Sequence, residues 1–252
     1  MIETFTFDNG LRIVAAPSAT DVVYCGIVVD AGTRDELPGE EGMAHFTEHL
    51  TFKGTHRRRA WHILNRMETV GGDLNAYTAK EETVYYCTFL KQHFSRAVDL
   101  LFDVVLNSTY PQAEMDKEVE VVIDEIESYN DSPSELIYDE FENLVFQNHP
   151  LGHSILGNAE ALRKMKSEDI HRFTQRLYHP SNMVFYVLGN VPMKRILAEV
   201  EKALRACHDD VKGRAVPSNP LRGVETASDG QPLQGGEVVL KKDTHQAHVI
   251  MG

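Results

Sequence analysis

The residues with the most chemistry in their spacing are His45-Phe46-Thr47-Glu48-His49. Their pattern, H-x-x-E-H, is the reverse of the H-E-x-x-H zinc signature. On a helix, residues four apart lie one turn apart on the same face, so His45 and His49 point the same way. Two imidazoles so placed can grip one Zn²⁺. Glu48, three residues after His45, stands on that side and can reach a water at the metal. Two nitrogen ligands plus a proton acceptor make up most of a hydrolytic zinc site. Chance placement of these residue types yields the pentapeptide in roughly one such chain in twenty, so the motif needs support from elsewhere.

A catalytic zinc usually takes three protein ligands and keeps one position open. The predicted helix at residues 114–129 is the obvious source of the third. It carries Glu118, Glu120, Asp124, Glu125 and Glu127, and spacing alone does not choose among them. Glu118 and Glu125 are seven apart and share a helix face two turns apart. One can bind metal while the other orients a histidine from behind.

These residues need a scaffold, and the apolar periodicity describes one. Residues 2–7 and 11–16 read as a hairpin across Asn9-Gly10, and 22–31 as a further strand. Residues 43–52 form the motif helix. A second helix at 60–70 ends at Gly71-Gly72. Strands follow at 74–79 and 83–90, then an amphipathic helix at 94–107. Helices are expected at 114–129, 134–147, 158–164, 167–177 and 193–207, with a strand at 183–189. Strands joined by hairpin-like connections and followed by helices indicate an α+β fold, an antiparallel sheet backed by helices.

Domain organisation follows from composition. Residues 1–208 read as one zinc-bearing domain. Residues 209–236, rich in Gly, Pro, Ser and Asp, read as a linker. Residues 237–252, with short strands at 237–240 and 247–251, read as the opening of a truncated second domain.

Bulk properties exclude some partners. The 252 residues are 42% hydrophobic and 25% charged, ordinary for a globular chain. A net charge of −13 argues against a nucleic-acid partner, because phosphate contacts need a basic surface. The short run Arg57-Arg58-Arg59 reads as a solvated face. No apolar run is long enough to span a membrane. The first residues lack the basic and apolar regions of a secretory signal, so a cytoplasmic location is expected. Cys25, Cys87 and Cys207 fit a reducing compartment without a disulfide framework. His149 and His153 read as solvated loop residues, and Tyr85, Tyr86 and Trp61 as packing residues. His245 and His248, three apart in a strand, would face opposite sides.

The motif with its flanking phrases resembles the inverzincin metallopeptidases, the family of pitrilysin, insulin-degrading enzyme and mitochondrial processing peptidase. Gly39-Glu40-Glu41-Gly42-Met43-Ala44 precedes it and Phe52-Lys53-Gly54-Thr55 follows it. Gly71-Gly72-Asp73-Leu74-Asn75-Ala76-Tyr77-Thr78 resembles the family's cleft strand, and 118–126 its second ligand helix. Residues 243–249 resemble the opening of its second half. The resemblance covers essentially the whole chain and is strongest to the compact bacterial and processing-peptidase-like branch.

The resemblance implies one Zn²⁺ per chain held by His45, His49 and Glu125, with Glu48 as general base. It implies Glu118 as a supporting glutamate, and Asn75 and Ala76 on an edge strand that pairs with an extended peptide substrate. The fold it implies is one half of a clam shell, whose partner is a second peptidase half or another subunit. The function it implies is a zinc-dependent endopeptidase. The alternative is a non-catalytic structural or regulatory subunit that keeps the fold.

Overall fold

The computed structural model describes residues 1–147, 149–207, 239, 241 and 247–251. Strands β1 (Glu3–Thr6), β2 (Arg12–Pro17), β3 (Val22–Val29), β4 (Asp73–Thr78), β5 (Thr83–Leu90) and β6 (Met183–Gly189) form a sheet of order β1-β2-β6-β3-β5-β4. The helices are α1 (Met43–Thr51), α2 (Ala60–Glu68), α3 (Phe94–Asn107), α4 (Gln112–Asn130), α5 (Pro133–Val145), α6 (Ala159–Lys164), α7 (Ser167–Leu177) and α8 (Met193–Ala206). The expected helix-backed α+β sheet is therefore present.

One pairing differs from the all-antiparallel expectation. β2 and β6 run parallel, with Arg12 opposite Val184 and Pro17 opposite Gly189. Hairpin reading sees only neighbours in sequence. A parallel neighbour needs a crossover connection, and here most of the domain lies between the two strands.

Alternation decides which face of the sheet is covered. Ile13 and Ala15 of β2, Val23, Cys25 and Ile27 of β3, Tyr85, Cys87 and Phe89 of β5, and Phe185 and Val187 of β6 are buried on one side. Against them lies the apolar stripe of α3, with Val98, Leu101 and Val105 buried. Tyr24, Tyr77 and Leu188, on the opposite parity, are exposed. Cys25 and Cys87 sit directly opposite one another on β3 and β5, and both are free and buried.

The arginine run is a solvated face at Arg57 and Arg59 but not at Arg58. Both guanidinium ends of Arg58 are paired, with Asp99 and Asp103 on α3, and only 10% of its side chain is exposed. Arg57 and Arg66 also pair with Asp99. The segment after α1 is thereby tied to α3. His153 is also less solvated than expected. Its Nδ1 is buried 3.6 Å from Glu36 Oε2. Tyr85 is a core residue whose hydroxyl lies 3.0 Å from that of Tyr178. Trp61 does not pack inside: it is 68% exposed on α2.

The expected linker at 209–236, His245, and the strand at 237–240 apart from Val239 lie outside the described residues. Residues 247–251 are described and form no strand. A strand exists only through ladder bonds to a neighbour, and among the described residues none lies beside them. His248 is exposed there. No described helix is long and apolar enough to cross a membrane.

Asp103 is fully buried, and without Arg58 its charge is left with the longer 3.8 Å contact to Arg57 and the neutral donors Thr55 and Asn107. Arg58→Met is expected to lower stability by about 3 kcal/mol in urea unfolding; a loss under about 1 kcal/mol would mean that solvent already screens these pairs.

Candidate metal centre

The site is built on α1 because that helix has one apolar face. Phe46 and Leu50 are fully buried, and each contributes about 2 kcal/mol of burial. Anchoring that face leaves His45, Glu48 and His49 on the side turned toward α4 and β4, both of which contact α1.

The start of α1 is held from a distance. Gly42 has φ 88°, a left-handed conformation, and a Cβ there would lie 2.7 Å from Leu156 O. Only glycine suits both conditions. No side chain at that position caps the helix. Instead Glu36 accepts from Gly42 N at 3.1 Å and from Ala44 N at 2.8 Å. A carboxylate at the positive end of a helix is favourable. Burial nevertheless pushes the Glu36 carboxyl well up from its ordinary range, against those two bonds.

His45 Nε2 lies 3.8 Å and His49 Nε2 3.5 Å from Glu125 Oε2. These three residues are the one group among the described residues whose potential ligand atoms all lie within 4.8 Å of one another. Atoms about 2.1 Å from a common tetrahedral zinc stand roughly 3.4 Å apart, so the spacing fits one ion. The donor set, two imidazoles and a carboxylate, suits zinc as well. Of the acidic residues on α4, Glu120 turns instead to Arg163, 3.5 Å away.

The two rings differ in how they hold a proton. Burial, then the neighbouring His49, lower His45 to about 3, so its ring is neutral. Its Nδ1 is buried without a hydrogen-bond partner among the described residues. His49 differs. Burial lowers it, but the bond to Glu118 and the charges of Glu125, Glu48 and Glu118 outweigh burial and raise it. His49 Nδ1 stands 3.0 Å from Glu118 Oε1. Lys53 Nζ stands 2.6 Å from Glu118 Oε2. Glu118 is only 8% exposed, yet these two partners hold its carboxyl below the usual range against burial.

Glu48 leans toward β4. Thr78 Oγ1 donates to Glu48 Oε2 at 2.6 Å. Burial raises the Glu48 carboxyl despite that bond and despite His49. Thr78 was not picked out from sequence, but it has the inward parity of Ala76 on the same strand, and that signal was readable. Lys53 had no comparable signal, because its partner Glu118 is remote in the chain, and Glu36 reaches the start of α1 only through the path of the loop between them.

β4 is an edge of the sheet, as expected for Asn75 and Ala76. Asn75 is exposed and Ala76 half-buried. Ala76 N donates to Asn75 Oδ1 at 2.8 Å, so the strand's own side chain covers a backbone donor.

The family model described as Insulinase (Peptidase family M16) matches residues 12–159. The chain belongs to peptidase family M16. A second model, the peptidase M16 inactive domain, matches residues 164–252. That match begins inside the sheet-bearing unit, since β6 lies between β2 and β3.

Relatives and solved structures agree. An uncharacterized zinc protease of Rickettsia bellii is 33% identical over 97% of this chain and 56% of its own length. One of Bacillus subtilis is 33% identical over 100% and 59%. A protease from Helicobacter pylori superposes with TM-score 0.81 at 26% identity, over 88% of this chain and 54% of that one. The periplasmic protease PqqL of Escherichia coli gives TM-score 0.76 at 26% identity, over 86% and 25%. The chain thus spans little more than half the length of these curated relatives. Membership in a family of zinc proteases implies zinc, and the residues present fit it.

In metal-free protein, ring NMR should find His45 neutral between about pH 5 and 8, while His49 titrates with a midpoint above the ordinary imidazole value. The reverse order would contradict the burial and charge pattern of the two rings.

Proposed function

We propose that this chain is the zinc-bearing half of an M16 metalloendopeptidase that cleaves extended or unfolded peptides. The observation that carries the reading is the convergence of His45 Nε2, His49 Nε2 and Glu125 Oε2, with the Glu48 carboxylate beside them. In this reading His45, His49 and Glu125 are the zinc ligands. A bound Zn²⁺ would supply Lewis acidity, polarising a carbonyl and making water easier to deprotonate.

The remaining steps belong to the chain. Thr78 holds Glu48 Oε2, which leaves Oε1 to take a proton from the attacking water. The water oxygen bonds to the scissile carbonyl carbon, and the carbon–nitrogen bond breaks. Glu48 Oε1 delivers the proton to the departing amine. The raised pKa of the Glu48 carboxyl suits a group that must accept and return that proton.

Substrate binding falls to β4. A peptide adding to that edge makes main-chain bonds beside Asn75 and Ala76, and Asn75 Oδ1 releases Ala76 N as it does so. Main-chain pairing requires an unfolded or flexible segment. The cleft is completed by the second peptidase half or by a partner subunit, consistent with the greater length of the relatives.

Two measurements test this. In a protein carrying both halves, Glu48→Gln should keep its zinc while kcat for an unfolded peptide falls about a thousandfold. Unchanged turnover would remove Glu48 from its role. The 252-residue chain alone should bind one zinc yet cleave that peptide at least about a hundredfold more slowly than the longer protein. Equal rates would refute the half-site reading.

A further inference from the structure

Behind the metal-facing side of α1 a polar relay runs outward through three residues. His49 Nδ1 meets Glu118 Oε1 at 3.0 Å, and Glu118 Oε2 meets Lys53 Nζ at 2.6 Å. Each oxygen of the Glu118 carboxylate therefore has one partner. Lys53 lies just past the end of α1 and is not on a loose tail. Its backbone N bonds Leu50 O at 3.0 Å, and Thr55 N bonds Arg58 O at 2.8 Å. Arg58 is in turn paired with Asp99 and Asp103 on α3.

We propose that Lys53 is a positioning residue for the metal centre: its ammonium fixes Glu118, and Glu118 holds the His49 ring with its proton at Nδ1 and its lone pair at Nε2. The inference rests on the zinc-peptidase reading above.

The physical need for Lys53 comes from Glu118. A buried carboxylate needs a cation or several hydrogen bonds to offset its lost hydration. With its Nε2 lone pair given to a metal, neutral His49 would offer Glu118 one N–H and no charge. Lys53 is the one lysine or arginine paired with Glu118 among the described residues. Without it, Glu118 keeps one partner and gains by rotating a free oxygen toward water. That rotation takes the acceptor away from His49 Nδ1 and frees the ring to flip or to adopt the other tautomer. His45 cannot compensate, because its own Nδ1 has no partner among the described residues. Orientation from behind reaches the metal through His49 alone.

The sign of the effect separates this role from simple electrostatics. Through space, a lysine charge repels a divalent cation, so deleting it should tighten zinc binding. Deleting a positioning residue should weaken zinc binding instead. A purely structural role for Lys53 would act equally whether or not Glu118 is ionised.

The test uses the metal-free 252-residue chain, titrated with zinc against a chromophoric chelator. Lys53→Met is expected to weaken zinc binding about tenfold, the low end for losing a partner behind a ligand. Lys53→Arg, which keeps the cation, should stay within about threefold of the unaltered chain. In a Glu118→Gln background, Lys53→Met should change affinity by less than about twofold, because the relay is already broken. Ring NMR of metal-free Lys53→Met, at a pH above the His49 midpoint, should show His49 as a mixture of tautomers. Lys53→Gln repeats the neutral substitution should the methionine variant fail to fold. Unchanged or tighter zinc binding in the neutral variants overturns the proposal, as does an equal loss with and without Glu118. If the unaltered chain binds no zinc, the peptidase reading fails and this inference with it. If it binds zinc but does not respond to Lys53, only this inference fails.

Discussion

The centre depends on one constraint: α1 must bury an apolar face while presenting two imidazoles and a carboxylate. Phe46 and Leu50 anchor the helix in the core, and the 3.6-residue period then fixes where His45, Glu48 and His49 point. A rotation of the helix would have to expose Phe46 or Leu50, so the orientation of the polar side is set by the burial of the other. Glu36, accepting from the first turn, and Gly42, close against Leu156, stop the helix sliding along its axis.

Around α1 the remaining elements act as supports with separate tasks. α4 brings Glu125 to the Nε2 atoms of the two histidines and Glu118 to His49 Nδ1, two turns apart on one face. β4 brings Thr78 to Glu48 and lies at the edge of the sheet formed by the described residues. α3 holds the segment after α1 through Asp99 and Asp103. The polar contacts of the site are therefore each backed by a packed element. Such backing keeps groups that would otherwise be costly to bury in a single arrangement.

The neighbouring histidines show how environment divides similar residues. His45 is buried beside another imidazole and is kept neutral. His49 is surrounded by three glutamates and is pushed the other way. Glu125 is 45% exposed, whereas Glu118 is buried and doubly paired. Residues of the same type thus take different places because of what faces them.

Much of this was written in the chain. The H-x-x-E-H spacing, the seven-residue separation of Glu118 and Glu125, and the apolar periods of the strands and helices are local, and local patterns follow from backbone geometry. They located α1, β4 and α4 and pointed to the carboxylates of α4 for the third ligand. Choosing Glu125 from spacing was not possible, because that depends on how α4 crosses α1; the family resemblance supplied the choice, and the fold sets Glu125 Oε2 3.8 Å and 3.5 Å from the Nε2 atoms of His45 and His49. The parallel β2–β6 pair, the burial of Arg58 against α3, and the contacts of Glu36, Lys53 and Thr78 were decided only by the fold. Each joins groups distant in sequence or on different elements, and the physical reason they meet is packing of the core, which no local pattern encodes.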